Sequence, residues 1–256
     1  MKPSANPLTF IRAAGAPLRA LGLIWRHKRL WPLAAAPFFL NLALFAIAFW
    51  LSYQYLGQWV RGLLPGGEGW WWAALMYFLL VLLVLALLAL EIYLFAVVGR
   101  VVAEPFLELL TRRAEALATG APPGAAWSDS GLLRDVLRVL RQGLLRLAIY
   151  LGVMLPLLLL NFIPGLGGAV YAVLAWLVTA YFLALEFLDY PLDRRGLSFK
   201  EKSRYVRSLG LGWLGFGSAV LLIGLVPVVN FTLLPLAAVG GTLLYLERPL
   251  PPRASS

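Results

Sequence analysis

The sequence predicts an all-α integral membrane protein, and three observations carry that prediction. Hydrophobic residues make up 61% of the 256 positions and charged residues only 13%, against roughly 45–50% and about 25% in soluble domains. The apolar residues gather into uncharged runs of a length suited to a hydrocarbon layer about 30 Å thick. The basic residues, which give a net charge of +10, lie in the short segments between those runs, as membrane topology signals do.

The first 30 residues contain Lys2, Arg12, Arg19, Arg26, Lys28 and Arg29, punctuated by Pro3, Pro7 and Pro17. This is not the continuous apolar stretch of a cleavable signal peptide. Leu8, Ile11, Leu18, Leu21 and Trp25 recur at roughly helical spacing, which predicts an N-terminal amphipathic helix lying on the membrane surface.

Two long helices are predicted next, over 33–56 and 70–100. In the first, residues 33–51 are broken among strongly polar residues only by Asn41, and at 1.5 Å per residue they span about 28 Å. The second opens on Trp70, Trp71 and Trp72, side chains that favour the membrane–water interface, and Glu91 is its only charge before Arg100. At about 45 Å it exceeds one bilayer core, so it must tilt or emerge. Glu91 reads better as the structural partner of a basic residue such as Arg100 than as a proton relay.

A charged segment over 100–146 follows, and then two helical hairpins over 147–186 and 209–246. No charge occurs between Leu147 and Leu185, or between Leu209 and Leu246. Asn161-Phe162-Ile163-Pro164-Gly165 divides the first run and Pro227-Val228-Val229-Asn230 the second, both being turn signals. Arms of about 15–18 residues reach only roughly 23–27 Å, so they either barely span or form re-entrant, hemi-penetrating pairs. Two broken hairpins in corresponding positions fit either a duplicated architecture or two ordinary turns. Asn161 and Asn230, at the tips, either line a polar pathway or cap the broken helices. Asp189, close to Pro191, is expected to end a helix rather than gate a pore.

Charge placement sets the orientation. Six basic residues precede Leu33, seven lie from Arg100 to Arg146, six from Arg194 to Arg207 and two follow Leu246, while Arg61 alone falls between the first two spans. The positive-inside rule then puts the N-terminus, both charged loops and the C-terminus in the cytoplasm.

The candidate chemistry is that of binding, not catalysis. There is no cysteine and a single histidine, so no thiolate chemistry or His/Cys metal set is expected. No serine has a nearby base, and no GxxxxGK[ST] loop is present to hold nucleotide phosphates. An enzyme, a metal and a cofactor are therefore not expected, and the topology reading outweighs nucleic acid as the reason for the positive charge. An oxyanion site needs cations beside helix-terminal N–H groups. The best candidate is Gly22-Leu23 followed, across Ile24 and Trp25, by Arg26, Lys28 and Arg29. A basic cluster contacting anionic lipid uses the same residue types.

The stretch Leu188-Asp189-Tyr190-Pro191-Leu192-Asp193-Arg194-Arg195-Gly196-Leu197-Ser198-Phe199-Lys200-Glu201-Lys202 is the most specific in the chain. It is followed by Leu214-Gly215-Phe216-Gly217, Val226-Pro227-Val228-Val229-Asn230-Phe231, Pro235 and Gly240-Gly241-Thr242. Together with Glu104-Pro105-Phe106, Leu109-Leu110, Thr119-Gly120 and the Asn161 turn, it resembles the family of CysZ-type sulfate permeases and eukaryotic etoposide-induced membrane proteins. The likeness runs from about Pro37 to Leu246. It implies two long spanning helices with two partly penetrating hairpins, bacterial inner-membrane residence and oligomerisation. It also implies passive movement of sulfate toward the cytoplasm for cysteine synthesis. The family places a Gly-Leu-Arg-like string near Pro37 and Asn41; here the basic residues lie further from that pair. The alternatives are a scaffold of the same family that transports nothing, or a channel for another anion.

Overall fold

A computed structural model describes residues 7–63, 69–120 and 132–250. Every regular element among them is helical: α1 (Pro7–Ala14), α2 (Ala16–Arg26), α3 (Trp31–Leu63), α4 (Trp70–Thr119), α5 (Leu132–Leu158), α6 (Gly167–Asp193), α7 (Phe199–Ser208), α8 (Leu211–Gly224) and α9 (Pro227–Glu247). Short 3-10 turns over Lys28–Leu30 and Leu159–Phe162 precede α3 and follow α5. Contacts cluster into two compact units, Met1–Ala34 with Leu107–Ser256, and Ala35–Phe106.

Among the described residues, three stretches are long and apolar enough to cross a membrane: Lys28–Leu51, Gly143–Phe162 and Gly167–Asp193. The pair α7 and α8, bent by 99°, counts as a fourth if taken as one broken span. The two long helices of the sequence reading appear as α3, with 33 residues, and α4, with 50. Phe38, Phe39, Leu42, Phe45, Phe49 and Trp50 of α3 and Trp70, Trp71, Tyr77 and Phe78 of α4 have exposed side chains. Such surfaces need an apolar neighbour in place of water, as lipid supplies.

The first hairpin differs from expectation, for α5 and α6 have 27 residues each. At 1.5 Å per residue each is about 40 Å long. An uncharged run underestimates a helix whose ends carry charges. Helix α6 continues through Glu186, Asp189 and Pro191 to Asp193, so Asp189 sits inside the helix instead of ending it. Pro191 removes the N–H that would bind the Phe187 carbonyl. Gly241 of α9 packs against that carbonyl, where a Cβ would overlap the oxygen. A neighbouring helix thus covers the group the proline leaves free. Gly196, with φ 64°, turns the chain out of α6.

Small residues build the core of the first unit. Helix α8 presents Gly215 to the backbone of Phe10 in α1 and Gly217 to the backbone of Ala180 in α6. Helix α9 presents Gly240 to Ala16 and Pro17 of α2 and Gly241 to α6. Residues one or two apart point to different sides of a helix, so each glycine pair admits two neighbours at once. The α8–α9 pair is clasped between the N-terminal helices and α6.

Docking buries Ala13, Ala16, Pro17, Ala20 and Ile24 while Ile11, Leu18, Leu21 and Trp25 remain exposed. The N-terminal segment is thus two amphipathic helices with a small-residue face turned to protein and a bulky face turned outward. The break between them comes at Gly15, ahead of Pro17.

Candidate functional site

The predicted anion site lies where α2 ends and α3 begins. His27 stops α2, and its Nδ1–H donates to the Leu23 carbonyl at 3.0 Å. The Trp31 Nε1–H donates to the Ile24 carbonyl at 3.0 Å, and the Trp25 and Trp31 rings meet at 5.4 Å between centroids. Two terminal carbonyls of α2 are therefore capped by side chains, which fixes the chain reversal that sets Lys28 and Arg29 in the 3-10 turn. Gly22, Arg26, Lys28 and Arg29 are exposed and Leu23 is half-buried. Within that turn the Trp31 N–H is bonded to the Lys28 carbonyl, and Pro32 has no N–H. Trp31 and Pro32 thus offer no free N–H at the start of α3, and the donors of the site come from the 3-10 turn and the three cationic side chains.

These cations differ in pairing from most arginines around them. Among the described residues, neither Arg26, Lys28 nor Arg29 forms an ion pair or hydrogen bond through its side chain. By contrast, Arg12 and Arg19 share Glu247 at 3.7 and 2.8 Å. Arg194 reaches Glu108 at 3.3 Å and Glu115 at 2.5 Å, and Arg112 reaches Glu108 at 2.7 Å. Neutralised arginines lock helices together, whereas unpaired ones keep their field available to a mobile anion.

The other predicted polar residues are not gathered with that cluster. Asp189 is bonded to Arg146 and to Lys202 at 2.6 Å, and Lys202 also reaches Asp193 at 2.8 Å. Lys202 is only 4% exposed, so its charge is held by both carboxylates. This group ties α5, α6 and α7 together. Asn161 lies in the exposed 3-10 turn at the tip of the first hairpin. The residue before α6 is Leu166, with no side-chain cap. The side chains of Glu91, Arg100 and Asn230 lie outside the described residues. Asn41, in the second unit, has a buried Oδ1 without a hydrogen-bond partner.

Sequence reasoning missed the buried Lys202 group and the Arg194–Glu108–Glu115 network, because their partners lie 9 to 86 residues apart. One local signal was available. Ser198-Phe199-Lys200-Glu201 is a capping box at the start of α7, with Glu201 Oε2 accepting from the Ser198 N–H and hydroxyl, both at 2.7 Å. It fixes α7 in register and so places Lys202 toward the core.

A family model described as sulfate transporter CysZ/etoposide-induced protein 2.4 matches residues 16–235. A protein of Pectobacterium atrosepticum named sulfate transporter CysZ is 35% identical over 215 residues, covering 83% of this chain and 76% of its own. The protein of that name from Salmonella typhimurium is 33% identical over 214 residues, covering 82% and 83%.

Proposed function

This chain belongs to the sulfate transporter CysZ/etoposide-induced protein 2.4 family, and we propose that it is a sulfate permease of a bacterial inner membrane that works without ATP. Relatives at this identity carry the name of sulfate transporter along most of their length. The observation in this chain that carries the reading furthest is the unpaired set Arg26, Lys28 and Arg29 at the α2–α3 junction. A dianion arriving there meets three cations without having to displace a carboxylate. Arg26 ends α2, and the C-terminal dipole of that helix favours a cation in that position.

In this reading α3 and α4 span the bilayer and the two hairpins penetrate it in part or whole. The outward stripe of Ile11, Leu18, Leu21 and Trp25 rests in the interface, with Arg12 and Arg19 near headgroup level. The termini and basic loops face the cytoplasm, the protein is an oligomer, and the sulfate it admits supplies cysteine synthesis. Glu91 and Asn230 are assigned as structural polar residues along α4 and at the second hairpin tip.

The test is radiolabelled sulfate uptake into liposomes that contain only this protein. The wild type should show saturable uptake. The Arg26→Ala/Lys28→Ala/Arg29→Ala variant should fall at least about tenfold, since one charge-assisted hydrogen bond contributes roughly 1.5–3 kcal/mol. Uptake unchanged in a folded triple variant removes the site. No uptake by folded wild-type protein favours a non-transporting scaffold, and chloride or phosphate outcompeting sulfate favours a channel for another anion.

A further inference from the structure

The side chains that close the α2–α3 junction do more than turn the chain. A helix ends on carbonyl oxygens that together carry roughly half a negative charge, and Arg26, Lys28 and Arg29 lie at such an end. The field that suits these cations therefore opposes any anion they attract. In the last turn of α2 the Leu23 carbonyl accepts from the His27 backbone N–H at 3.2 Å and from the His27 Nδ1–H at 3.0 Å. The Ile24 carbonyl accepts from the same backbone N–H at 3.3 Å and from the Trp31 Nε1–H at 3.0 Å. Each oxygen thus faces two N–H groups, which leave less of its partial charge directed at the basic cluster.

The Trp31 bond also crosses the junction, because it joins the first residue of α3 to one seven positions earlier in α2. The Trp25 ring, 5.4 Å away between centroids and tilted by 46°, packs against the indole in that pose, a favourable separation for two aromatic rings. On the inner side of the turn Leu30 is buried, and its N–H donates to the His27 carbonyl at 2.8 Å. The short turn bearing Lys28 and Arg29 is therefore held at both ends before an anion arrives, while both of these side chains stay exposed. A site whose frame is already set loses less freedom on binding.

We infer that His27 and Trp31 are positioning residues of the anion site. They cover the α2 carbonyls that would repel an anion, and they hold the backbone that carries Arg26, Lys28 and Arg29 in one arrangement. Their role rests on the transport reading, and it extends the site from three cations to the two rings that frame them. That role distinguishes two tryptophans of similar setting. Trp25 and Trp31 are 69% and 43% exposed, but among the described residues it is the Trp31 indole N–H that reaches an α2 carbonyl.

Initial rates of radiolabelled sulfate uptake into liposomes over a range of concentrations test this, using wild type, Trp31→Phe, Trp25→Phe, His27→Leu and His27→Asn. Trp31→Phe and His27→Leu should each raise the half-saturating concentration about three- to tenfold, as loss of one hydrogen bond predicts, with little change in maximal rate. Trp25→Phe should leave it unchanged, and His27→Asn, whose Nδ2–H donates from about the same place, should restore most of it. Wild-type half-saturation in folded Trp31→Phe, or a loss confined to maximal rate, overturns the assignment. So does an equal rise in Trp25→Phe, which would make ring packing the cause. Should Trp31→Phe fail to fold, the His27→Leu and His27→Asn pair decides by the same ratio. If wild type binds sulfate at equilibrium but carries no flux, the transport reading alone fails, and the ratios are read from dissociation constants instead. A wild type that neither carries nor binds sulfate ends both.

Discussion

Replacing Lys202 with methionine isolates the worth of the buried ion cluster. The lysine side chain is 5% exposed and lies 2.6 Å from Asp189 and 2.8 Å from Asp193. Methionine keeps most of the length and apolar stem, so the change removes charge more than volume. The two carboxylates then fare differently. Asp189, with its side chain 16% exposed, retains Arg146, while Asp193, 39% exposed, is already in contact with water. Breaking a buried pair by removing one partner costs about 3–5 kcal/mol, and these two escapes set the expectation at the lower end, about 3 kcal/mol. Equilibrium unfolding in detergent, followed by circular dichroism, reads the loss. A cycle with Asp193→Asn should give a coupling of about 1 kcal/mol, as for a half-exposed pair, and a cycle with Asp189→Asn should give a larger one. A Lys202→Met protein that unfolds within about 0.5 kcal/mol of wild type would refute the argument that this lysine's charge holds α6 and α7 together.

The remaining predictions are briefer. Gly217→Ala places a Cβ on the Ala180 carbonyl and should cost about 1–3 kcal/mol by overpacking, whereas Gly152→Ala, whose Cβ meets nothing within 4 Å, should be neutral or stabilising by up to about 1 kcal/mol; thermal unfolding of the two side by side checks the contrast. Burial pushes the Tyr205 hydroxyl, which donates to the Arg248 carbonyl at 3.0 Å, well above the usual phenol range. The folded state therefore keeps the proton longer than the unfolded state, so stability holds below about pH 10 and falls as pH rises beyond it; melting temperatures between pH 9 and 11.5 should drop less steeply in Tyr205→Phe. Finally, a cysteine introduced at Ser128 should resist membrane-impermeant labelling from outside intact cells, and ready labelling would reverse the assigned orientation.

How much of this was legible in the sequence depended on the range of the interaction. The long helices were, because twenty apolar residues in a row have few other uses. The basic cluster of Arg26, Lys28 and Arg29 was too, because the three sit together in the chain. The arms of the first hairpin were not, since charge marked the end of the uncharged run and α6 carries Asp189 past it, paired with Arg146 from 43 residues away. Nor was the N-terminal fold fully visible. The bulky stripe from Ile11 to Trp25 announced an amphipathic helix, but alanines spaced along the other face gave no hydropathy signal that they would be the buried side. Small residues register weakly on any hydrophobic scale, and only the glycines opposite them in α8 and α9 reveal their use.

That clasp has a consequence for how the protein is made. Helices α1, α2 and α6 each need α8 or α9 to cover their tightest contacts, and α8 and α9 leave the ribosome after all three. Helices α1 and α2 must therefore wait with their alanine face unpartnered, since chain elongation at about 5–20 residues per second separates them from their glycine partners by roughly 10–40 seconds. During that interval the small-residue face has no partner until α8 and α9 close over it. A nascent chain stalled at α7 would accordingly be protease-sensitive at its beginning, far in sequence from the part it lacks.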